Sequence, residues 1–146
     1  LKTGLNAPFY KWIDDVKKAI RHKRELEEKL EYYQSRLTGY QAVVYDSIGS
    51  SSSRNNVEDN LLFIIGKIDQ VKHRMKEAEI KIDSYKSFKS ILKEKEELLL
   101  EYLVEKELNN VLIISRLNIT RSRMYSILFI IVRKHNDFGY NVNKTS

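Results

Sequence analysis

The sequence predicts an all-α protein: a long antiparallel helical hairpin, paired as a coiled coil, followed by a C-terminal helix-turn-helix. Three observations carry this expectation. Two apolar seams alternate three- and four-residue steps without a slip. Helix breakers are scarce, with five Gly and one Pro in 146 residues. The stretch from Asn109 to Lys134 places apolar residues where a helix-turn-helix needs them.

The first helix is expected to open near Pro8, since proline is tolerated in a first turn. Its seam runs Phe9, Trp12, Val16, Ala19, Lys23, Leu26, Leu30, Tyr33, Leu37, Tyr40, Val44, and only Lys23 is not apolar. Gly39 lies inside it and costs about 1 kcal/mol relative to Ala. From Asp46 to Asn56 a Gly and a run of Ser lack any apolar period, which predicts a loop. Asn56 then reads as the cap of a second helix. Its seam is Val57, Leu61, Ile64, Ile68, Val71, Met75, Ala78, Ile82, Tyr85. Folded back on the first, it sets Val44 against Val57, Lys23 against Ala78 and Val16 against Tyr85. Residues 8–86 thus form the expected hairpin, about 50 Å long at ~1.5 Å per residue. Val43, Tyr45, Leu62, Phe63 and Ile65 add apolar surface outside the seam, to be covered by Ile48 and the loop or, as the preferred expectation, by the hairpin tip of a second chain in a dimer.

Ser84, Ser87 and Ser90 mark an expected hinge after Tyr85. A third helix follows, from about Phe88 or Ile91 to Lys106, with Ile91, Leu92, Leu98, Leu99, Tyr102 and Leu103 inward. It carries the acids Glu94, Glu96, Glu97 and Glu101 and closes a small core with the helix-turn-helix, so 88–136 reads as the second domain. Residues 137–146 are polar and aperiodic, and read as a flexible tail.

Within the helix-turn-helix, Ile113 and Leu117 line one face of the first helix. Asn118 takes the turn position that needs φ > 0, which Asn tolerates better than most residues. Ile119 plugs the turn, Thr120 caps the second helix, and Met124, Ile127 and Leu128 give it a buried face. Its solvent face is left to Thr120, Arg121, Ser122, Arg123, Tyr125, Ser126 and Arg133. From Leu108 to Asn136 there is no Asp or Glu, but Arg116, Arg121, Arg123, Arg133 and Lys134 occur. An element lying against phosphate requires that local loss of acid. A helical hairpin that merely closes a core, with a solvated basic face, shares the same apolar pattern.

The overall balance is 26 Lys+Arg against 20 Asp+Glu, net +6, which suits an acidic partner. The absence of Cys excludes a disulfide framework and thiolate metal sites, and fits a cytoplasmic location. Nothing at the start has the pattern of a secretory signal, and the longest apolar run, SILFIIV, is far short of a membrane span. His22, His73 and His135 are scattered and none has a ligand companion four residues on. With no Gly-rich phosphate loop and no Cys nucleophile, neither enzyme activity nor a cofactor is expected. A second basic run, Lys17, Lys18, Arg21, His22, Lys23 and Arg24, reads as a solvated face paired with Asp14, Asp15, Glu25, Glu27 and Glu28, or as an additional DNA contact.

Two segments, SIGSSSSRNNVEDNLLFIIGKID and LLLEYLVEKELNNVLIISRLNITRSRMYSIL, carry a resemblance to a known family. Together with the long hairpin they resemble the RinA/ArpU-type phage transcriptional regulators, whose helix-turn-helix is like that of sigma region 4. The resemblance covers about Lys11 to Lys134. It departs from the family pattern at Ile114, where a small residue is usual, at Asn118, where Gly is usual, and at Asn109-Asn110-Val111. It implies a phage or prophage regulator of late genes, working on double-stranded DNA in a bacterial cytoplasm with host RNA polymerase as a further partner. The reading helix would be 120–134. Arg121, Ser122, Tyr125 and Ser126 would face base edges, and Arg116, Arg123, Arg133 and Lys134 would hold phosphate. Two other readings fit the same layout: a small terminase subunit of phage DNA packaging, favoured by rings of eight or more chains, and a coiled-coil adaptor, favoured by absence of salt-dependent duplex binding.

Overall fold

The computed structural model describes the backbone of residues 6–46 and 51–145, and the side chains of 6–40 and 57–139. Five helices follow one another: α1 (Ala7–Asp46), α2 (Ser51–Lys89), α3 (Glu94–Val104), α4 (Asn110–Leu117) and α5 (Arg121–Thr145). Among the described residues there is no strand. The chain is all-α, with α1 and α2 packed as the long hairpin. It divides into two compact units, Leu1–Ile20 with Lys81–Ser146, and Arg21–Ile80.

The unit Arg21–Ile80 is the hairpin proper. Leu26, Ile64, Ile68, Val71 and Ala78 are buried along the predicted seam. Lys23, the one polar seam residue, is half-buried and pairs with Glu79 at 3.8 Å. Its ammonium thus finds a carboxylate on the neighbouring helix. Away from that ion pair, Leu30, Tyr33, Leu37, Tyr40, Val57 and Leu61 are only half-buried. Two helices alone do not enclose side chains of that size. Leu62 and Phe63 are 68% and 59% exposed, and Ile65 is exposed beside them. Helix α2 begins at Ser51 rather than after Asn56, so part of the expected loop is helical and Asn56 is not its cap. Serine costs a helix only a few tenths of a kcal/mol and does not stop one. The rest of that loop, 47–50, lies outside the described residues, as do the side chains of Val43, Val44 and Tyr45.

The other unit holds the largest core. Phe9, Ile13 and Val16 of α1 and Tyr85 and Phe88 of α2 pack with Leu92, Leu99, Leu100 and Val104 from the α3 region, Ile113 of α4 and Met124, Ile127, Leu128, Ile131 and Val132 of α5. The first turns of α1 therefore belong with the helix-turn-helix, and the sequence-based division at residues 86–88 does not follow the packing. The expected hinge also moves. Helix α2 continues through Ser84 and Ser87 and ends at Lys89, because Phe88 extends the apolar spacing and is fully buried. The break falls at Ser90, whose Oγ donates to Ser87 O at 2.6 Å. On α3 the inner face includes Leu100 and Val104, and Ile91 is exposed instead of inward.

Polar clamps lock this unit. Tyr85 Oη donates to Glu105 Oε2 at 2.7 Å, and Lys89 Nζ lies 3.1 Å from Glu101 and 3.2 Å from Glu105. Burial and then the Glu105 bond push the Tyr85 phenol well above its ordinary range. Glu96, only 6% exposed, accepts from Lys134 Nζ at 2.6 Å and from the Lys93 backbone N–H at 3.2 Å. Burial alone would raise its pKa, but the Lys134 and Lys93 bonds outweigh it and hold the carboxyl below its ordinary value. Helix α5 runs to Thr145, so residues 137–145 continue the helix that the sequence reading ended near Lys134. Phe138 anchors this extension, its ring 5.5 Å from that of Phe88.

Candidate nucleic-acid interface

The helix-turn-helix is built from local chemistry. Asn109 caps α4, its Oδ1 accepting from Leu112 N at 2.9 Å. Ile113 is fully buried, which fixes the face α4 turns inward. Asn118 ends α4 in the left-handed region, φ 53° and ψ 51°. With the chain so turned, Ile119 N donates to Ile114 O at 3.2 Å and its side chain is half-buried against the core. Thr120 Oγ1 then accepts from Arg123 N at 3.1 Å and starts α5. Met124, Ile127, Leu128, Ile131 and Val132 are buried, so the opposite side of α5 faces solvent.

The structure brings most of the expected site residues to one surface. Arg116 is exposed in the last turn of α4. Thr120, Arg121, Ser122, Arg123, Ser126 and Arg133 are exposed on or just before α5. Helical spacing sets Ser122, Ser126 and Arg133 on one line, with Arg121 to one side and Arg123 to the other. Ser126 Oγ donates back to Ser122 O at 3.1 Å, so its hydrogen is directed at its own helix.

Two expected residues sit apart from that line. Lys134 is engaged by Glu96 inside the unit, so its charge holds α5 to α3 and is not available to a phosphate. Tyr125 is half-buried at the edge of a cavity of about 550 Å³. The cavity is lined by Tyr10, Asp14 and Lys17 of α1, by Asn109 to Val111 at the start of α4, and by Leu103, Tyr125 and Leu128. Burial, and then the neighbouring Tyr125, raise the Tyr10 phenol above its ordinary pKa.

Some of this surface was outside the sequence reading. Phe129 is 60% exposed and Ile130 37% exposed, although neither was among the residues expected on the solvent face of this helix. Their signal was present: Phe129 lies seven residues after Ser122, on the polar line rather than the buried one. Tyr10 and Lys17 were assigned to the first helix and only folding brings them beside Tyr125.

No group of side chains suited to hold a metal ion occurs among the described residues, and no helix there is long and apolar enough to cross a membrane. Compared with known proteins, the chain matches no family model, no curated protein and no solved structure.

Proposed function

We propose that this protein binds double-stranded DNA selectively, laying the exposed line of α5 in the major groove, and acts as a transcriptional regulator like the phage and prophage proteins its sequence resembles. One observation carries the reading. Arg116, Arg121, Arg123 and Arg133 stand exposed around a line of small hydroxyl side chains, in a stretch without a single carboxylate. Arg116, Arg123 and Arg133 suit the phosphates on the walls of a groove, and Arg121 with the hydroxyl line suits base edges. A basic face that is merely solvated needs neither the arginine flanks nor the absence of acid over the whole of α4 and most of α5.

The hairpin is the dimerisation element in this proposal. Leu62, Phe63 and Ile65 give a second copy apolar surface to cover, and a dimer would present two copies of α5 to a two-fold symmetric site. Host RNA polymerase is the further partner that such a regulator would meet.

Selection of binding sites from random duplex, at two salt concentrations, tests the reading. A palindromic site and a slope of about −3 in log K against log salt per chain are expected, from three or four phosphate contacts. Arg121→Ala should lose about 1–3 kcal/mol at one base pair, whereas Arg116→Ala should weaken specific and random duplex alike. Absence of salt-dependent duplex binding refutes the proposal. Sedimentation at micromolar concentration tests the dimer, and a monomer there refutes it.

A further inference from the structure

We infer that Phe129 reads the C5-methyl group of a thymine, making it an apolar specificity residue in the middle of the groove-facing line of α5. The inference rests on the DNA-binding reading above and deepens it.

A lone exposed aromatic on a protein surface is ordinary and asks for no explanation. The position of Phe129 is what distinguishes it. Ser122, Ser126, Phe129 and Arg133 follow at steps of four, three and four, which is one straight line on a helix. Ser122 and Arg133 stand about 16 Å apart along the axis, at ~1.5 Å per residue. That is about five base-pair steps of 3.4 Å. Phe129 therefore falls inside the length a groove would contact.

Small residues precede it on the line. Ser122 and Ser126 allow the helix backbone to approach base edges closely, and Ser126 directs its hydroxyl hydrogen back to Ser122 O. A large side chain one turn further on then projects towards the groove floor. Nearly everything on that floor is a hydrogen-bond donor or acceptor; the thymine methyl is the apolar exception and is a known partner for phenylalanine. Phe129 against any other base edge would cover polar atoms without replacing their hydrogen bonds.

Charge separates this occupant from a second copy of the chain. A two-fold contact through this line would bring Arg133 and Arg123 of one protomer against the same cations of the other, and the one carboxylate among the described residues of α5, Asp137, lies beyond the last residue of the line. Two rows of phosphates offer the complementary field instead.

The test uses the full chain and the duplex recovered by site selection. Each thymine is replaced in turn by uracil, which removes only the methyl group. Wild type should lose about three- to fivefold in affinity at one position, the value of burying one methyl. Phe129→Ala should bind the thymine and uracil duplexes equally, at the weaker level, with an unchanged melting temperature. Wild type indifferent to uracil at every thymine overturns the inference while leaving DNA binding intact. A Phe129→Ala variant that keeps the full thymine preference, or that turns a dimer into a monomer, also overturns it. Failure of the chain to bind any duplex is a separate result and removes the underlying reading.

Discussion

Replacing Phe9 with Ala should unfold the helix-turn-helix unit at far lower temperature, although Phe9 lies over a hundred residues before it in the chain. The Phe9 ring is fully buried. It packs edge-on to Tyr10 at 5.6 Å and to His135 at 5.4 Å, with Trp12 at 6.1 Å. Removing a buried aromatic of this kind costs about 3–5 kcal/mol, part lost transfer energy and part cavity. For a unit of this size each kcal/mol shifts Tm by about 4–8 °C, so a fall of at least about 12 °C is expected. The chain has a single Trp, Trp12, and its ring lies 4.3 Å from that of His135. Trp fluorescence during thermal melting therefore reports this unit and little else. Helical circular dichroism followed in the same melt also registers the Arg21–Ile80 hairpin. The Trp transition should move down while part of the helical signal melts where it did in the wild type. A loss below about 1 kcal/mol in the Trp transition would mean that α1 does not complete this core.

Three further outcomes test other parts of the structure. Glu96→Gln should cost about 1.5–3 kcal/mol, since it leaves the Lys134 ammonium without its charged acceptor. Because the folded state holds this carboxyl below its ordinary 4.5, its stabilisation is complete above that pH and is lost as pH falls through the folded value. Melting temperature against pH should thus fall less steeply below 4.5 in the variant, and an unchanged acid limb refutes the pairing. His135 is boxed by Phe9, Trp12 and Phe88 and its Nδ1 has no hydrogen-bond partner, so burial holds its pKa below the ordinary 6.5. The unfolded chain takes up the proton first, so stability should rise with pH from the folded value up to 6.5 and level off above it. His135→Phe should abolish that slope, as melts between pH 5 and 8 would show. Gly39→Ala and Gly66→Ala place a methyl where nothing lies within 4 Å. Each should stabilise the hairpin unit by about 1 kcal/mol in urea unfolding, and a loss would show that those faces are covered in solution.

What was legible in the sequence was local. Asn118 and Thr120 each act through their own backbone neighbours, so residue type alone located the cap of α5 and the left-handed turn; the Asn109 cap carries the same local signal but was not among the expectations. The seams were legible because a 3–4 alternation specifies a helix and its inward face. It does not specify what the face meets. Phe9 and Val16 fit a hairpin layer as well as a globular core. The difference lay in Ile13 and Ile20, which widen the stripe beyond what one partner helix can cover. Phe88 extended the seam past the serines for the same reason. The end of α5 was lost because its residues are polar and Phe138, which among the described residues holds the extension to the core, meets a ring fifty places away in sequence. Phe129 was lost because an apolar run hides which of its members points outward.

The acids of α3 bear on why the cationic surface is made of arginine. Glu96 consumes Lys134, and Glu101 with Glu105 consumes Lys89. Those lysines neutralise carboxylates that would otherwise lower the positive potential of the same small unit. Among the described side chains of α4 and α5, the exposed bases that remain are Arg116, Arg121, Arg123 and Arg133, all arginines. A lysine is a flexible point charge, whereas a guanidinium presents a planar fork to phosphate or guanine. Unit and site are thus divided by chemistry: the Lys134–Glu96 pair ties α5 to α3, the Lys89 pairs tie α2 to α3, and arginines are left to face a ligand whose oxygens are set by a regular helix. Exchanging the four arginines for lysines keeps the net charge, so it should preserve most of the salt-dependent affinity for random duplex while lowering preference for the selected site. Equal loss on both duplexes would assign the guanidinium groups to non-selective attraction alone, and no loss on either would remove arginine geometry from the mechanism.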